Sequence, residues 1–347
     1  MVKRNKILFY SSVTDLKLFE ITGFYLYDIK ALESSGYEVI RTNSCKSFFK
    51  FWTYDISVLY FYKKSLIPGL ISRLLNKKTI YTGGIDELSS EVDIAPQKRF
   101  IYKVLFFLNY LISNCCNIVS TKDLENTKSL LNSIGFKNCN KLVYFPHCIE
   151  TETKQSSNTL HKENIFTTIC WMGSIQNVKR KGVDKSLEIF KAFLTFHSDF
   201  KYYIIGTPGE GTAYLKNLVN NLDLSNNVFF TGSISESDKI ELLQKSLFYF
   251  QISKYEGFGL AVLEAMISEN IIIHSGKGGL VDTIADNGIL VNNFDSINAT
   301  VQLIDNIYKN TTSFSHKIEM NKLLVKSKFN ISERAFNFNK IIHEDKY

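Results

Sequence analysis

At 347 residues, 45% of them hydrophobic and 22% charged, the chain has the apolar mass for two ordinary domains or one large barrel, which excludes a disordered or fibrous protein. Its formal charge of +7 is unevenly placed: residues 1–150 carry 20 Lys and Arg against 13 Asp and Glu, and the remainder balances at 21 against 21. The six cysteines form no paired Cys-x-x-Cys spacing and do not cluster with the histidines, which excludes a zinc site of that type and points to reduced thiols in a cytoplasmic protein.

The first apolar run, Ile7 to Tyr10, is too short for a signal peptide and reads as a strand, "KILFYSS". A helical pattern, "GFYLYDIKALESSGYEV", ends at Ser-Gly and passes into the strand "YEVIRT". "DISVLYF", "KKTIYTG" and "NIVSTK" are further strands, with helices between and after them. The most apolar stretch, "VLFFLNYLI" at 104–112, has about half the length needed to cross a bilayer. Residues 151–164, "TETKQSSNTLHKEN", hold no apolar cluster and read as a linker.

Alternation then restarts. "FTTICWMG" is a strand, and "DKSLEIFKAFLTF" is an amphipathic helix with Leu187, Phe190 and Leu194 on one face. "KYYIIG", "TAYLKNLVNNL", "NVFFTG", "DKIELLQKS" and "LFYFQIS" continue as strand, helix, strand, helix and strand, and "NIIIHSG" and "GILVN" follow. Strands alternating with helices imply parallel sheets. The expected fold is α/β, with two doubly wound domains at 1–155 and 164–325, and a helix in 326–347, "SERAFNFNKIIHED", that crosses back to the first. In such sheets ligands bind at the carboxyl ends of the strands, so the cleft between the two domains is the expected site.

The segment "EGFGLAVLEAM", 256–266, carries the chemistry. It follows a strand and enters a helix near Leu260, and a helix head with its unpaired N–H groups suits a phosphate or diphosphate. The glycines Gly257 and Gly259, flanking Phe258, allow close backbone approach. From Leu260 to Ile267 every residue but Glu264 is apolar, so the helix is buried, and its carboxylate needs hydrogen-bonding partners. Sugar or ribose hydroxyls fit that need; a salt bridge to a neighbouring lysine is the alternative. Glu256, on the loop, faces a second polyol in the same reading.

At these residues the chain resembles the glycosyl transferases group 1 family, retaining enzymes of the GT-B fold, whose signature is Glu, seven residues, Glu at a strand–loop–helix position. "WMGSIQNVKRKGVDKSLEIF" (171–190), "YYIIG", "NVFFTGSIS" and "GKGGLVDTIADNGILVN" (276–292, with Asp282 near the family's acid) extend the likeness over about 164–345. The resemblance implies two Rossmann-like domains facing each other across a cleft and a nucleotide diphospho-sugar as donor. No cofactor and no metal is implied, and no Asp-x-Asp is present. Lys181 would contact the donor diphosphate, Gly257 to Leu260 would hold the phosphates or donor sugar, Glu256 would contact the sugar and Glu264 the ribose. Gly23, in "EITGFYLYD", matches the glycine at the first strand–helix junction. The family usually has Arg where Ser174 stands, and Arg180, beside Lys181, is the substitute on offer. Asp86, in "YTGGIDEL", is the nearest candidate to assist the acceptor; a helix cap is the equal alternative. His147 reads as structural.

Three segments of the first domain, "KSFFKFW" (46–52), "FYKKSLIPGLISRLLNKK" (61–78) and "QKRFIYKVLFFLNYLI" (97–112), mix basic and large apolar residues. They read either as cover for the first sheet or as a peripheral contact with an anionic membrane carrying a lipid-linked or envelope glycan acceptor. Nucleic acid is not expected, since no recognition module appears. The alternatives to a transferase are a non-catalytic donor- or glycan-binding partner, which Ser174 favours and the Glu pair opposes, and another GT-B enzyme such as a nucleotide-sugar epimerase or a phosphorylase. A nicotinamide dehydrogenase is not expected, since "ILFYSSVTDL" lacks Gly-x-Gly-x-x-Gly after the first strand.

Overall fold

The computed structural model describes residues 5–151, 161–291 and 296–344, so most of the predicted linker lies outside the described residues. The chain divides into two compact units, Met1–Glu150 with Ser327–Tyr347, and Thr151–Lys326.

The first unit runs β1 (Lys6–Tyr10), α1 (Leu18–Ile21), α2 (Gly23–Ser34), β2 (Glu38–Thr42), two 3-10 turns (Cys45–Phe49 and Phe51–Thr53) and β3 (Ile56–Tyr60). It continues with α3 (Tyr62–Leu74), β4 (Lys78–Thr82), a 3-10 turn (Asp86–Leu88), α4 (Pro96–Ile112), β5 (Cys115–Ile118), α5 (Thr121–Ser133) and β6 (Leu142–Tyr144). The six strands are parallel, in the order β2-β1-β3-β4-β5-β6. Alternation along each strand sends side chains to both faces. Phe9, Val58 and Ile80 meet Tyr25, Ile29 and Leu32 of α2 on one face. Leu8, Leu59 and Tyr81 meet Phe106 and Tyr110 of α4 and Leu131 of α5 on the other.

The second unit runs β7 (Glu163–Ile169), α6 (Ile175–Arg180), α7 (Val183–Leu194), β8 (Lys201–Ile205), α8 (Glu210–Asn221), β9 (Val228–Gly232), α9 (Glu236–Lys245) and β10 (Ser246–Gln251). Then follow α10 (Leu260–Ile267), β11 (Ile271–His274), α11 (Leu280–Ile284), β12 (Ile289–Leu290), α12 (Ile297–Lys309) and α13 (Thr311–Lys328). Its parallel sheet has the order β12-β11-β10-β7-β8-β9, so successive strands spread one way from β7 through β8 and β9, and the other way from β10. The gap between the ends of β7 and β10 is the topological switch point, where doubly wound sheets hold ligands. The two sheets and their helices are the Rossmann-like pair expected of the GT-B fold.

The closing helix α14 (Ile331–His343) packs on α2, with Phe338, Ile341 and Ile342 in the core of the first unit. Its Arg334 is fully buried. The guanidinium donates to both oxygens of Asp28, at 2.8 and 2.7 Å, and to the carbonyls of Phe145 and Pro146, each at 2.9 Å. The Tyr60 hydroxyl donates to the same carboxylate, and His147 Nδ1 lies 3.8 Å from it. Burial opposes the charge on Asp28, yet Arg334 and His147 together hold its pKa down at about 2.

Some elements depart from the sequence reading. β7 stops at Ile169, so "CWMG" is loop. β6 has three residues and was not predicted, because so short a run shows no alternation. Nor was α6, where a polar hexapeptide becomes helical between two loops.

Candidate functional site

The loop that leaves β10 at the switch point is fixed from three directions. Lys254 N donates to Arg180 O at 2.8 Å, which ties the loop to the end of α6. Behind that bond Gly182 has φ 70°, and a Cβ there would lie 2.2 Å from the carbonyl oxygen of Ile252, so neither the dihedral nor the space admits another residue. On the other side, Glu256 bridges Gly278, and Gly279 N donates to Glu256 O at 2.7 Å. Gly278 has φ 63° and a Cβ on it would stand 2.2 Å from that same Glu256 oxygen. Arg180 closes the frame: Nη1 donates to Tyr255 O and Nη2 to Asn177 Oδ1, both at 3.0 Å.

This frame holds Glu256 against Lys181. Three donors converge on Glu256 Oε2: Lys181 Nζ at 2.5 Å, Gln251 Nε2 at 2.9 Å and Ser253 Oγ at 3.2 Å. None of the three reaches Oε1. Burial works against the carboxylate's charge, but Lys181 and Arg180 outweigh it and hold the pKa below the ordinary 4.5. The carboxylate is therefore ionised at neutral pH, and the lysine ammonium beside it is only partly withdrawn from solvent.

Gly257, Phe258 and Gly259 carry the chain into α10, with Gly259 as its N-cap and Leu260 its first residue. The helix buries Val262, Leu263, Ala265 and Met266, and its head presents N–H groups that have no partner within the helix. One turn on, Glu264 meets a residue the sequence reading did not name. Lys239 of α9 lies 2.9 Å from Glu264 Oε2 and 2.9 Å from Glu236 Oε1. A lysine thus holds one oxygen of this carboxylate, the salt bridge that the sequence reading kept as the alternative to ligand hydroxyls. Burial still raises the Glu264 pKa, with Lys239 offsetting part of the rise.

The remaining predicted residues fall as follows. Ser174 Oγ accepts a hydrogen bond from Asn177 N at 3.2 Å and so caps α6. Arg180 is committed to carbonyl and amide partners, and contributes its charge rather than an open fork. Gly23 opens α2 behind the N-cap Thr22, and Asp86 begins the 3-10 turn after β4. The N-cap position of that turn is Ile85, and Asp86 is its first residue. Both belong to the first unit, while Ser174, Arg180, Lys181, Glu256 and Glu264 belong to the second. Asp282 lies in the first turn of α11. His147 is buried beside Asp28, as a structural role requires.

Two partners of Glu256 carried a signal in the sequence. Gln251 and Ser253 are polar, two apart, and close an otherwise apolar strand, so they share a face pointing to one polar atom. Lys239 carried none, because its pairing depends on how α9 packs on α10. Among the described residues no three His, Cys, Asp or Glu side chains converge as a metal site would require.

The family model described as Glycosyl transferases group 1 matches residues 151–324. A 41.2 kDa protein in the cps region of Klebsiella pneumoniae is 22% identical over 305 residues, 85% of this chain and 76% of that one. A poly(ribitol-phosphate) alpha-N-acetylglucosaminyltransferase of Staphylococcus aureus is 27% identical over 192 residues, 49% of this chain and 38% of that protein. The match thus covers well under half the length of that transferase. Among solved structures, Anabaena Alr3699/HepE in complex with UDP and glucose has a TM-score of 0.75 at 14% identity, over 98% of this chain and 99% of that one, a likeness of fold.

Proposed function

Since the chain belongs to the glycosyl transferases group 1 family, we propose that it moves a sugar from a nucleotide diphospho-sugar to a glycan or lipid-linked acceptor, with retention of configuration and without a required metal. The observation that carries the reading is the ionised Glu256–Lys181 pair at the switch point, next to the head of α10. A diphosphate seated on that helix head meets N–H donors and the positive end of the helix dipole. Lys181 supplies the compensating cation and stabilises charge that grows on the leaving phosphate. Glu256, held at Oε2, offers Oε1 to a hydroxyl of the donor sugar. Glu264, held at Oε2 by Lys239, offers Oε1 to the ribose. In a front-face reaction the leaving phosphate takes the acceptor proton, so no general base is needed. Gly23 approaches the phosphates and Asp86 the acceptor in this reading.

The acceptor is proposed to be an envelope polysaccharide or its lipid-linked precursor, used at the cytoplasmic face of a membrane. Support comes from the cps-region relative and the poly(ribitol-phosphate) transferase, and from the basic excess of residues 1–150. A screen of UDP, GDP and ADP sugars for nucleotide release tests the transferase reading. One donor should be turned over, and Lys181→Ala and Glu256→Gln should each lower turnover by about 10²–10³-fold. Full activity in either variant refutes the assignment.

Ser174 supports one other reading. It caps a helix where the family usually has an arginine, so the diphosphate has one cation fewer. Donor stabilisation of the fold with no nucleotide release from any sugar would favour a donor-binding partner without catalysis.

A further inference from the structure

The outer side of the α3–α4 layer of the first unit is apolar where a solvent face is ordinarily polar. α3 turns Ile67, Leu70 and Leu74 outward at spacings of three and four, with Leu74 77% exposed. α4 does the same with Phe100, Ile101, Val104, Leu108 and Leu111, and Phe100 is 68% exposed. The 3-10 turns before β3 add Phe49, Phe51 and Trp52; the last is 72% exposed, its ring edge-to-face with Phe51 at 5.2 Å. These elements form one layer. Asn109 of α4 donates to Tyr62 O of α3 at 2.9 Å, Gly69 of α3 abuts Ile112, and α3 also packs on the first 3-10 turn. Both helices already bury another side, through Ser65, Gly69 and Ser72 on α3 and Phe106, Asn109 and Tyr110 on α4. The exposed stripes are therefore surplus to the core. Isolated apolar residues on a surface need no explanation, but two aligned stripes and an aromatic turn on one layer mark an interaction face.

The charge on the same segments selects the partner. Residues 45–54, 61–78 and 96–112 contain ten Lys and Arg and no Asp or Glu. Lys63 is paired with Glu87 and Lys78 with carbonyls at the end of α14, which leaves eight cations of these segments; apolar side chains beside that excess fit a surface that offers acyl chains and negative head groups together. Phe and Trp at such a boundary sit at head-group depth. No helix among the described residues is long and apolar enough to cross a membrane, so contact is from one side.

We propose that the outer face of α3, α4 and the Phe49–Trp52 turn inserts into the interfacial layer of an anionic lipid bilayer. This rests on the proposed function only for its purpose, delivery of a membrane-bound acceptor; the docking itself is measured without turnover. The full chain is sedimented with phosphatidylcholine vesicles, alone or containing 30% phosphatidylglycerol. Binding should be at least tenfold stronger to the anionic vesicles. A fraction should persist at about 0.5 M salt, where screening removes purely electrostatic attraction. In a Trp171→Phe background, Trp52 emission should shift to shorter wavelength and be quenched by brominated acyl chains. The triple variant Trp52→Ser, Leu74→Ser, Phe100→Ser should lose binding at least tenfold, with unchanged circular dichroism and unchanged nucleotide release from a soluble donor. Equal negligible binding to both vesicles, an unquenched Trp52, or a triple variant that binds normally overturns the proposal. So does a dimer in ultracentrifugation that the triple variant dissociates, since a second copy would then cover this face.

Discussion

Arg334→Met tests the reasoning about the buried charge cluster most sharply. The substitution keeps the volume and the apolar stem, but removes both bonds to Asp28 and both to the carbonyls of Phe145 and Pro146. Removing one partner of a buried pair costs about 3–5 kcal/mol, since the other charge stays buried and unpaired. In a unit of about 170 residues, each kcal/mol moves the melting temperature by about 2–4 °C, so the loss should be roughly 6–20 °C. The Asp28 pKa gives a second measure. Its folded value of about 2 lies below the unfolded 3.8, a difference worth roughly 2–3 kcal/mol. Because the folded value is the lower one, this stabilisation is complete above about pH 4 and is lost as the pH falls toward 2. In the variant only His147 and the Tyr60 hydroxyl still counter burial, so the Asp28 pKa rises and the deficit against the wild type should shrink on acidification. Calorimetry at pH 7.5 and 4.5 checks both, and Asp28→Asn combined with Arg334→Met should recover more than half of the loss. A single variant losing under about 1 kcal/mol at pH 7.5, or a double variant as unstable as the single, would refute this account.

Further outcomes follow from the site. Gly278→Ala forces a Cβ against Glu256 O and should lower nucleotide release at least tenfold with the far-UV spectrum retained; steady-state kinetics beside circular dichroism decides it. Donor affinity should fall as the pH drops through the raised Glu264 pKa, and Lys239→Met should move that fall to higher pH while Lys239→Arg restores it. Calorimetric titration with a nucleotide sugar checks this, since its phosphodiesters stay ionised between pH 4.5 and 8. Asp86→Asn, which loses a charge that would orient the acceptor, should lower kcat toward the acceptor by about tenfold or more and leave donor affinity unchanged, as measured with the donor found in the screen.

Most of the second unit is legible from local pattern because its strands are apolar runs bounded by glycine or polar residues. "KYYIIG" and "LFYFQIS" correspond to β8 and β10, and the apolar stretch after Gly259 is α10 over Leu260–Ile267. The pairing of Lys181 with Glu256 was not legible. It depends on Gly182 fitting against Ile252 O, a contact between segments about 70 residues apart. Glu264 shows the same limit. The all-apolar helix around it announced a buried carboxylate, but whether a ligand or Lys239 answered it was decided by the packing of α9, which no periodicity encodes. Ser174 was read as a missing cation, and its capping bond to Asn177 became visible only once α6 was known to be helical. The exposed stripes of α3 and α4 were legible as basic and apolar; which side each turned outward was not.

The helix that completes the first unit is made only after the whole of the second. Asp28 waits 306 residues for Arg334, and the core around α2 lacks Phe338, Ile341 and Ile342 until they arrive. On a ribosome the second unit, contiguous from Thr151 to Lys326, has every strand of its sheet before the first unit can close. Its assembly therefore finishes earlier, although its translation starts later. Nascent chains stalled before residue 334 would display a buried acid without its cation and an incompletely covered α2, features that chaperones and proteases act upon. Synthesis of α14 thus doubles as the checkpoint for a sound first unit.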